Sequence, residues 1–429
     1  MRPMTAQEEF GTRPPSPVVR TVTLGMNLDP DQPERGAEAA RRFFGRAGNR
    51  LAESGLRARC FRLAGQPLDR LLQGRRIRAN TAAEFAVRME NALGDIWFCM
   101  PGPFFVDAAD DPELLALVPA VIGATRHVFM NTLVSSAAGM HRGALRRAAA
   151  VVRELALLDE QHQANFRFAV MSNVQSNTPF FPASWHQGEA GFSIALELSE
   201  LANAAFSQPL PFDEKLAVFR TMVRRAASEA ADCAATLAAE TGVGFRGIDF
   251  SLAPYPGEDT SAVSAIEALA GSPVGSFQFI FSLYAVNNLL KQGLADFPQV
   301  GYNGTMLSVL EDSHLARAVG NGSVDVKDLL LYSTVCGCGL DMVPLPLDVG
   351  VGQIAALIEA ICTEAIKWNK PLITRLLPSS VGANGETNFN HPFIVNTRPI
   401  ALNRNAFAPA NDSEAFFDPQ RWAPTALPA

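Results

Sequence analysis

Short apolar runs alternate with longer amphipathic stretches along most of the chain. Residues 20–28 (RTVTLGMNL) are rich in β-branched positions and stop at Asp29 and Pro30, which predicts a strand. Residues 33–54 carry Ala, Phe, Leu and Arg at helical spacing, and 56–63 (LRARCFRL) read as a second strand closed by Gln66 and Pro67. The same grammar predicts strands at 95–100, 126–134, 166–172, 247–252, 340–345 and 372–377. Helices are predicted at 81–93, 112–123, 142–158, 213–240, 277–291, 326–332 and 353–368.

The stretch 213–240 is the clearest helix. Leu216, Phe219, Val223, Ala227, Ala230, Cys233 and Leu237 recur at intervals of three and four, and Gly242 supplies the stop. Several strands are apolar throughout, so both of their faces need cover, which implies parallel sheet with helical crossovers. The expected class is therefore α/β. One domain spans 19–402, behind a disordered lead at 1–18. An extended arm at 403–429 carries Phe416, Phe417 and Trp422 to the body or to a neighbouring subunit of a homo-oligomer.

Composition narrows the function classes. With 36 basic and 43 acidic residues the net charge is −7, a poor match for a phosphate backbone. The nearest basic run, Arg70, Arg75, Arg76 and Arg78, has no interleaved aromatics and reads as a solvated loop. No apolar run has the roughly 18–20 residues of a membrane span, and the lead has no secretory apolar core. Six cysteines, Cys60, Cys99, Cys233, Cys336, Cys338 and Cys362, sit mostly in apolar segments. That pattern suits free thiols and a cytoplasmic location.

Three motifs fail on context. Gly242-Val-Gly244-Phe-Arg-Gly247 has the dinucleotide spacing, yet a helix precedes it and a strand follows, the reverse of what pyrophosphate binding needs. Gly350-Val-Gly352 reads as a glycine-rich helix entry behind Asp348. Cys336-Gly-Cys338 offers two thiols and no second pair for zinc.

The informative polar residues interrupt apolar or Gly/Pro-rich segments near strand ends, where parallel α/β folds place ligands. They are Asn173, Asn177, His186, Glu189, Asp249, Glu311, Asp312, Cys336, Asp341 and Arg375. Around them lie 19–28 (VRTVTLGMNL), 59–68 (RCFRLAGQPL), 165–187 (NFRFAVMSNVQSNTPFFPASWHQ) and 247–256 (GIDFSLAPYP). With them go 301–312 (GYNGTMLSVLED), 336–346 (CGCGLDMVPLP) and 374–378 (TRLLP). In order and spacing this set resembles the domain of unknown function 711 family from about Val19 to Leu377.

The resemblance implies a pyruvate formate-lyase-like α/β barrel of about ten strands in two parallel half-sheets, with helices outside. It makes Cys336 the counterpart of the cysteine loop that enters such barrels. No Arg-Val-x-Gly-Tyr motif stands near the C-terminus, and Gln299-Val-Gly-Tyr302 lacks the arginine, so no glycyl radical is expected.

The leading expectation is an enzyme acting on a small molecule inside the barrel. Cys336 is its nucleophile or thiol acid–base group, His186, Glu189 and Asp341 move protons, and Arg375 with Asn173 and Asn177 binds substrate. The alternative is a hydrolase, lyase or isomerase using a divalent metal on Asp249, Glu311 and Asp312, with His186, Glu189 and Asp341 as further donors. A third class is a non-catalytic small-molecule binding protein. No nucleic-acid or membrane partner is expected.

Overall fold

A computed structural model describes residues 18–72, 78–402 and 416–422. The lead before Val18, Arg75 and Arg76 of the basic run, and most of the arm beyond Leu402 lie outside the described residues.

The chain is mixed α/β with a large, mostly parallel central sheet. Its strands are β1 (Val18–Gly25), β2 (Arg57–Ala64), β3 (Trp97–Cys99), β4 (Val128–Ser136), β5 (Gly139–His141) and β6 (Phe168–Ser172). They continue with β7 (Gly191–Glu197), β8 (Gly244–Asp249), β9 (Gly339–Pro346), β10 (Leu372–Ser379) and β11 (Phe416–Phe417). The main path runs β8-β7-β1-β2-β3-β4-β6-β10-β9. Neighbours from β1 through β2, β3, β4 and β6 pair in parallel. β7 with β8 and β9 with β10 are also parallel, and the two groups meet antiparallel at β1–β7 and β6–β10.

The two ends of this path are tied by one extended segment. Gln299 and Thr305 bridge in parallel to Ile248 and Leu252, and Ser308 bridges to Asp341. Backbone bonds from Val300 to Ile248, Met306 to Leu252 and Val309 to Asp341 repeat the connection. No periodicity marks 299–308 as a strand, because Gly301, Asn303 and Gly304 interrupt it.

Both strand faces are covered, as the apolar runs required. Phe168 and Val170 of β6 join the core beneath the helices, whereas Ala169 and Met171 join a second cluster on the inner face. In β10, Leu372 and Leu376 face the helices, while Ile373 and Leu377 face inward. The outer layer includes α1 (Pro33–Glu53), α2 (Ala79–Leu93), α3 (Leu117–Ala124), α4 (Arg142–Leu155), α5 (Ser199–Phe206) and α6 (Phe212–Thr241). It continues with α7 (Ala262–Ala270), α8 (Phe277–Gln292), α9 (Ser313–Gly320), α10 (Val326–Ser333) and α11 (Val351–Trp368).

The helix α6 matches its pattern. Phe219, Val223, Ala227, Ala230, Cys233 and Leu237 are buried, and Asp213 and Glu214 complement the positive helix N-terminus. Gly242 caps it at φ 71°, a left-handed conformation that costs glycine little.

Of the arm, the described residues include 416–422. Phe416 and Phe417 pair antiparallel with His141 and Met140 of the same chain. Among the described residues no helix is long and apolar enough to cross a membrane.

Candidate active site

The inner face of the sheet is not closed up by side chains. It borders a cavity of about 650 Å³, open to solvent on one side past Arg57, Arg59 and Asp95, and walled by β2, β3, β4, β9 and β10, the loop 174–187 and the segment 299–312. The loop lies against the sheet because polar side chains on the strands meet its carbonyls. Asn131 Nδ2 donates to Pro182 and Ser184 at 2.6 and 2.9 Å, and Thr23 Oγ1 donates to Pro179 at 2.9 Å. These bonds satisfy backbone that would otherwise be buried unpaired. They also deliver Phe180, Phe181 and Ala183 to the cavity wall.

One part of the wall is a charged cluster. A bulge in β9 sets Asp341 and Met342 against the single residue Arg375 of β10, since Leu340 pairs with Thr374 and Val343 with Leu376. Arg375 Nε and Nη2 donate to the two oxygens of Asp341 at 2.6 and 2.9 Å, and Nη2 also reaches Glu311 Oε1 at 3.2 Å. Burial pulls the guanidinium pKa down, but the carboxylates of Asp341 and Glu311 more than restore it, so Arg375 stays charged. Its positive charge is thus already met by two carboxylates, which leaves little to anchor an external anion. Glu311 Oε2 accepts no bond among the described residues.

Beside this cluster stand a hydroxyl and a thiol. The Tyr302 hydroxyl is buried with no protein partner, and burial pushes its pKa well up, so it is a neutral donor. Cys338 also lines the cavity, whereas Cys336 does not. The glycine between them is needed for close approach, because a Cβ on Gly337 would stand 2.8 Å from the Gly304 backbone. Donation from the Cys338 thiol, aided by nearby Lys370, draws Cys336 below the ordinary thiol range, and the same bond raises Cys338. The thiol that lines the cavity is thus Cys338 and not the expected Cys336.

Another part of the wall was not anticipated. Arg62 on β2 and Trp97 on β3 are register partners, so they share a face. The Arg62 guanidinium lies 5.4 Å from the Trp97 ring and 5.2 Å from that of Phe181. Trp97 stacks on Phe129 at 5.0 Å, Phe129 meets Phe166 at 5.7 Å, and Phe166 lies 5.6 Å from the Arg375 guanidinium. A row of rings thus runs from one buried arginine to the other.

The remaining expected site residues are placed elsewhere. His186 packs on Gly25, bonds the Gly188 carbonyl through Nε2 at 3.0 Å, and has its pKa lowered by burial. Glu189 is on an exposed turn and gives its carbonyl to Arg246. Asn173 and Asn177 adopt left-handed φ values of 55° and 66° at loop positions, and Asn173 Nδ2 bonds Asn369 at 3.0 Å. None of these four lines the cavity.

The expected metal set is also dispersed. Asp249 accepts from the backbone of Ser251, Tyr302 and Asn303 and so organises the segment that carries Tyr302. Asp312 caps α9 and accepts from Ser261 Oγ at 2.6 Å. Of the three, Glu311 alone lines the cavity, and no group of three metal-ligating side chains occurs among the described residues.

Arg62 could not be singled out among the arginines of 57–62, since its ring partners come from other strands. Tyr302 gave no signal beyond lying in 301–312.

A family described as Uncharacterised ACR (DUF711) matches residues 15–390. A UPF0210 protein of Pyrobaculum arsenaticum is 30% identical over 387 residues, covering 84% of each chain. A UPF0210 protein of Pyrobaculum islandicum is 29% identical, again over 84% of both. One from Desulforudis audaxviator is 30% identical over 62% of both.

Proposed function

The chain belongs to the DUF711 family, and from that premise we propose that it is an enzyme acting on a small molecule in the cavity beside its sheet. Glu311 is the acid–base residue of this reading, and Tyr302 is the donor that steadies developing negative charge. One observation carries it: the Glu311 carboxylate, held through one oxygen by Arg375, and the Tyr302 hydroxyl, with no protein partner, line the same cavity. Arg375 holds Glu311 in place, and Asp341 in turn holds Arg375.

The architecture supports this reading. The nine strands of the main path and the segment 299–308 make ten, and we read them as one closed barrel of two parallel half-sheets, in keeping with the resemblance stated above.

The test is a thermal-shift screen of small molecules, followed by NMR of each ligand in D2O. The wild-type chain is expected to exchange or transform a ligand proton, and E311Q to slow this about 100-fold or more while binding survives. Equal rates in E311Q, or binding with no chemical change in any ligand, overturn the assignment.

A further inference from the structure

We propose that Arg62, framed by Trp97 and Phe181, is an anion-binding subsite, and that the cavity takes an organic anion with an apolar body. This deepens the reading above and rests on the same cavity.

Arg62 is only 8% exposed, yet no carboxylate pairs with it among the described residues. Its Nε reaches the Cys60 sulfur at 3.2 Å and Nη1 reaches the Pro179 carbonyl at 3.5 Å. Those are two weak acceptors for a group with five N–H donors. A buried, uncompensated charge is costly, and chains normally pair such a group. None of its nitrogens is sealed without a partner, so the unspent donors open on the cavity they help to line.

The contrast with Arg375 decides between the two arginines. Arg375 spends its fork on Asp341 and Glu311, whereas Arg62 has no carboxylate partner among the described residues; beyond Cys60 and Pro179 it meets ring faces, and its Nη2 is unengaged. Ring faces attract the cation without consuming its in-plane donors. The open edge of the guanidinium therefore suits a planar carboxylate or a phosphate, which pair with arginine through two parallel bonds. Next to Arg62 the wall is aromatic, through Trp97 and Phe129 to Phe166. That row suits an apolar body that leads from the anionic end toward Glu311 and Tyr302.

A structural plug is the competing role for Arg62, and stability alone would not separate the two. The test is calorimetric titration of the full chain with benzoate, phenyl phosphate and the uncharged analogue benzyl alcohol. Wild type is expected to bind at least one anion tenfold or more tighter than benzyl alcohol, and the stronger of the two identifies the headgroup. R62Q should lose that preference and leave benzyl alcohol unchanged. If R62Q does not fold, R62K is read the same way, because it keeps the charge but lacks the planar fork. E311Q should bind the anions like wild type, so this subsite can stand even if Glu311 catalyses nothing. Equal binding of benzyl alcohol and both anions to wild type, or undiminished anion binding by the arginine variant, overturns the proposal.

Discussion

Arg375 donates to both oxygens of Asp341, at 2.6 and 2.9 Å, from a position where both side chains are about 5% exposed or less. The bulge in β9 makes the pairing geometric, since two residues of β9 face one of β10. A pair this deeply buried contributes less by existing than it costs when half of it is removed. R375M should therefore lower unfolding free energy by about 3–5 kcal/mol, because it leaves Asp341 and Glu311 buried together without their cation. D341N should cost less, as Glu311 still meets the guanidinium. The order of the two variants in chemical denaturation checks the claim; D341N as the more damaging change would contradict it.

Cys60 provides a reporter for the other arginine. It is the one cysteine that is not fully buried among the described residues, it lines the cavity, and its sulfur accepts from Arg62 Nε. Iodoacetamide should label Cys60 first in the native chain, with Cys99, Cys336, Cys338 and Cys362 lagging. A ligand seated on Arg62 should slow Cys60 labelling severalfold. Peptide mass spectrometry of briefly alkylated protein reads both outcomes, and preferential labelling of Cys336 would mean that the loop is more open than described.

Those two arginines show what was legible in the sequence. Asp341, Arg375 and Glu311 stood out because each is charged within a buried apolar segment, and their meeting follows from β9 and β10 pairing in parallel. Arg62 did not stand out, because its ring partners are brought in by the β2–β3 register and by a loop. The strand Gly191–Glu197 (GFSIALE) was also missed, although apolar throughout, because it follows the long Gly/Pro-rich stretch that reads as loop. His186, Asp249 and Asp312 were polar in buried settings for structural reasons: packing on a glycine, gathering a turn, and capping a helix.

Stability should depend on pH through Glu364 on α11. Burial, and then the neighbouring Cys336, raise its pKa from 4.5 to about 7, and one of its oxygens is buried without a partner. Between those two values the folded chain holds a proton that the unfolded chain has lost, so stability falls as pH rises through the window. The group is only partly buried, so the effect is discounted to about 1 kcal/mol between pH 5 and 8. Unfolding midpoints of E364Q and wild type should agree best near pH 4–5 and separate above it, with E364Q the more stable at pH 8. A constant gap across that range would remove Glu364 as the cause.

Two glycines in similar Gly-x-x sequence contexts should respond to alanine in opposite directions. Gly337 stands between Cys336 and Cys338, and an added Cβ would lie 2.8–3.0 Å from three backbone atoms of Gly304. Backbone cannot rotate aside as a side chain can, so the loop must move, at a cost of about 1–3 kcal/mol. Gly304 lies in the segment that ties β8 to β9, so the displacement should also loosen the cavity wall beside Cys338. Gly352, by contrast, lies in the first turn of α11, and nothing is within 4 Å of its added Cβ. Its backbone is helical, so G352A narrows the unfolded ensemble without strain and should stabilise by about 0.5–1 kcal/mol. Melting temperature reads the opposite signs directly. Faster alkylation of Cys338 in G337A, with no change in G352A, would locate the damage at the cavity; stabilisation by G337A would show that the two loops do not touch.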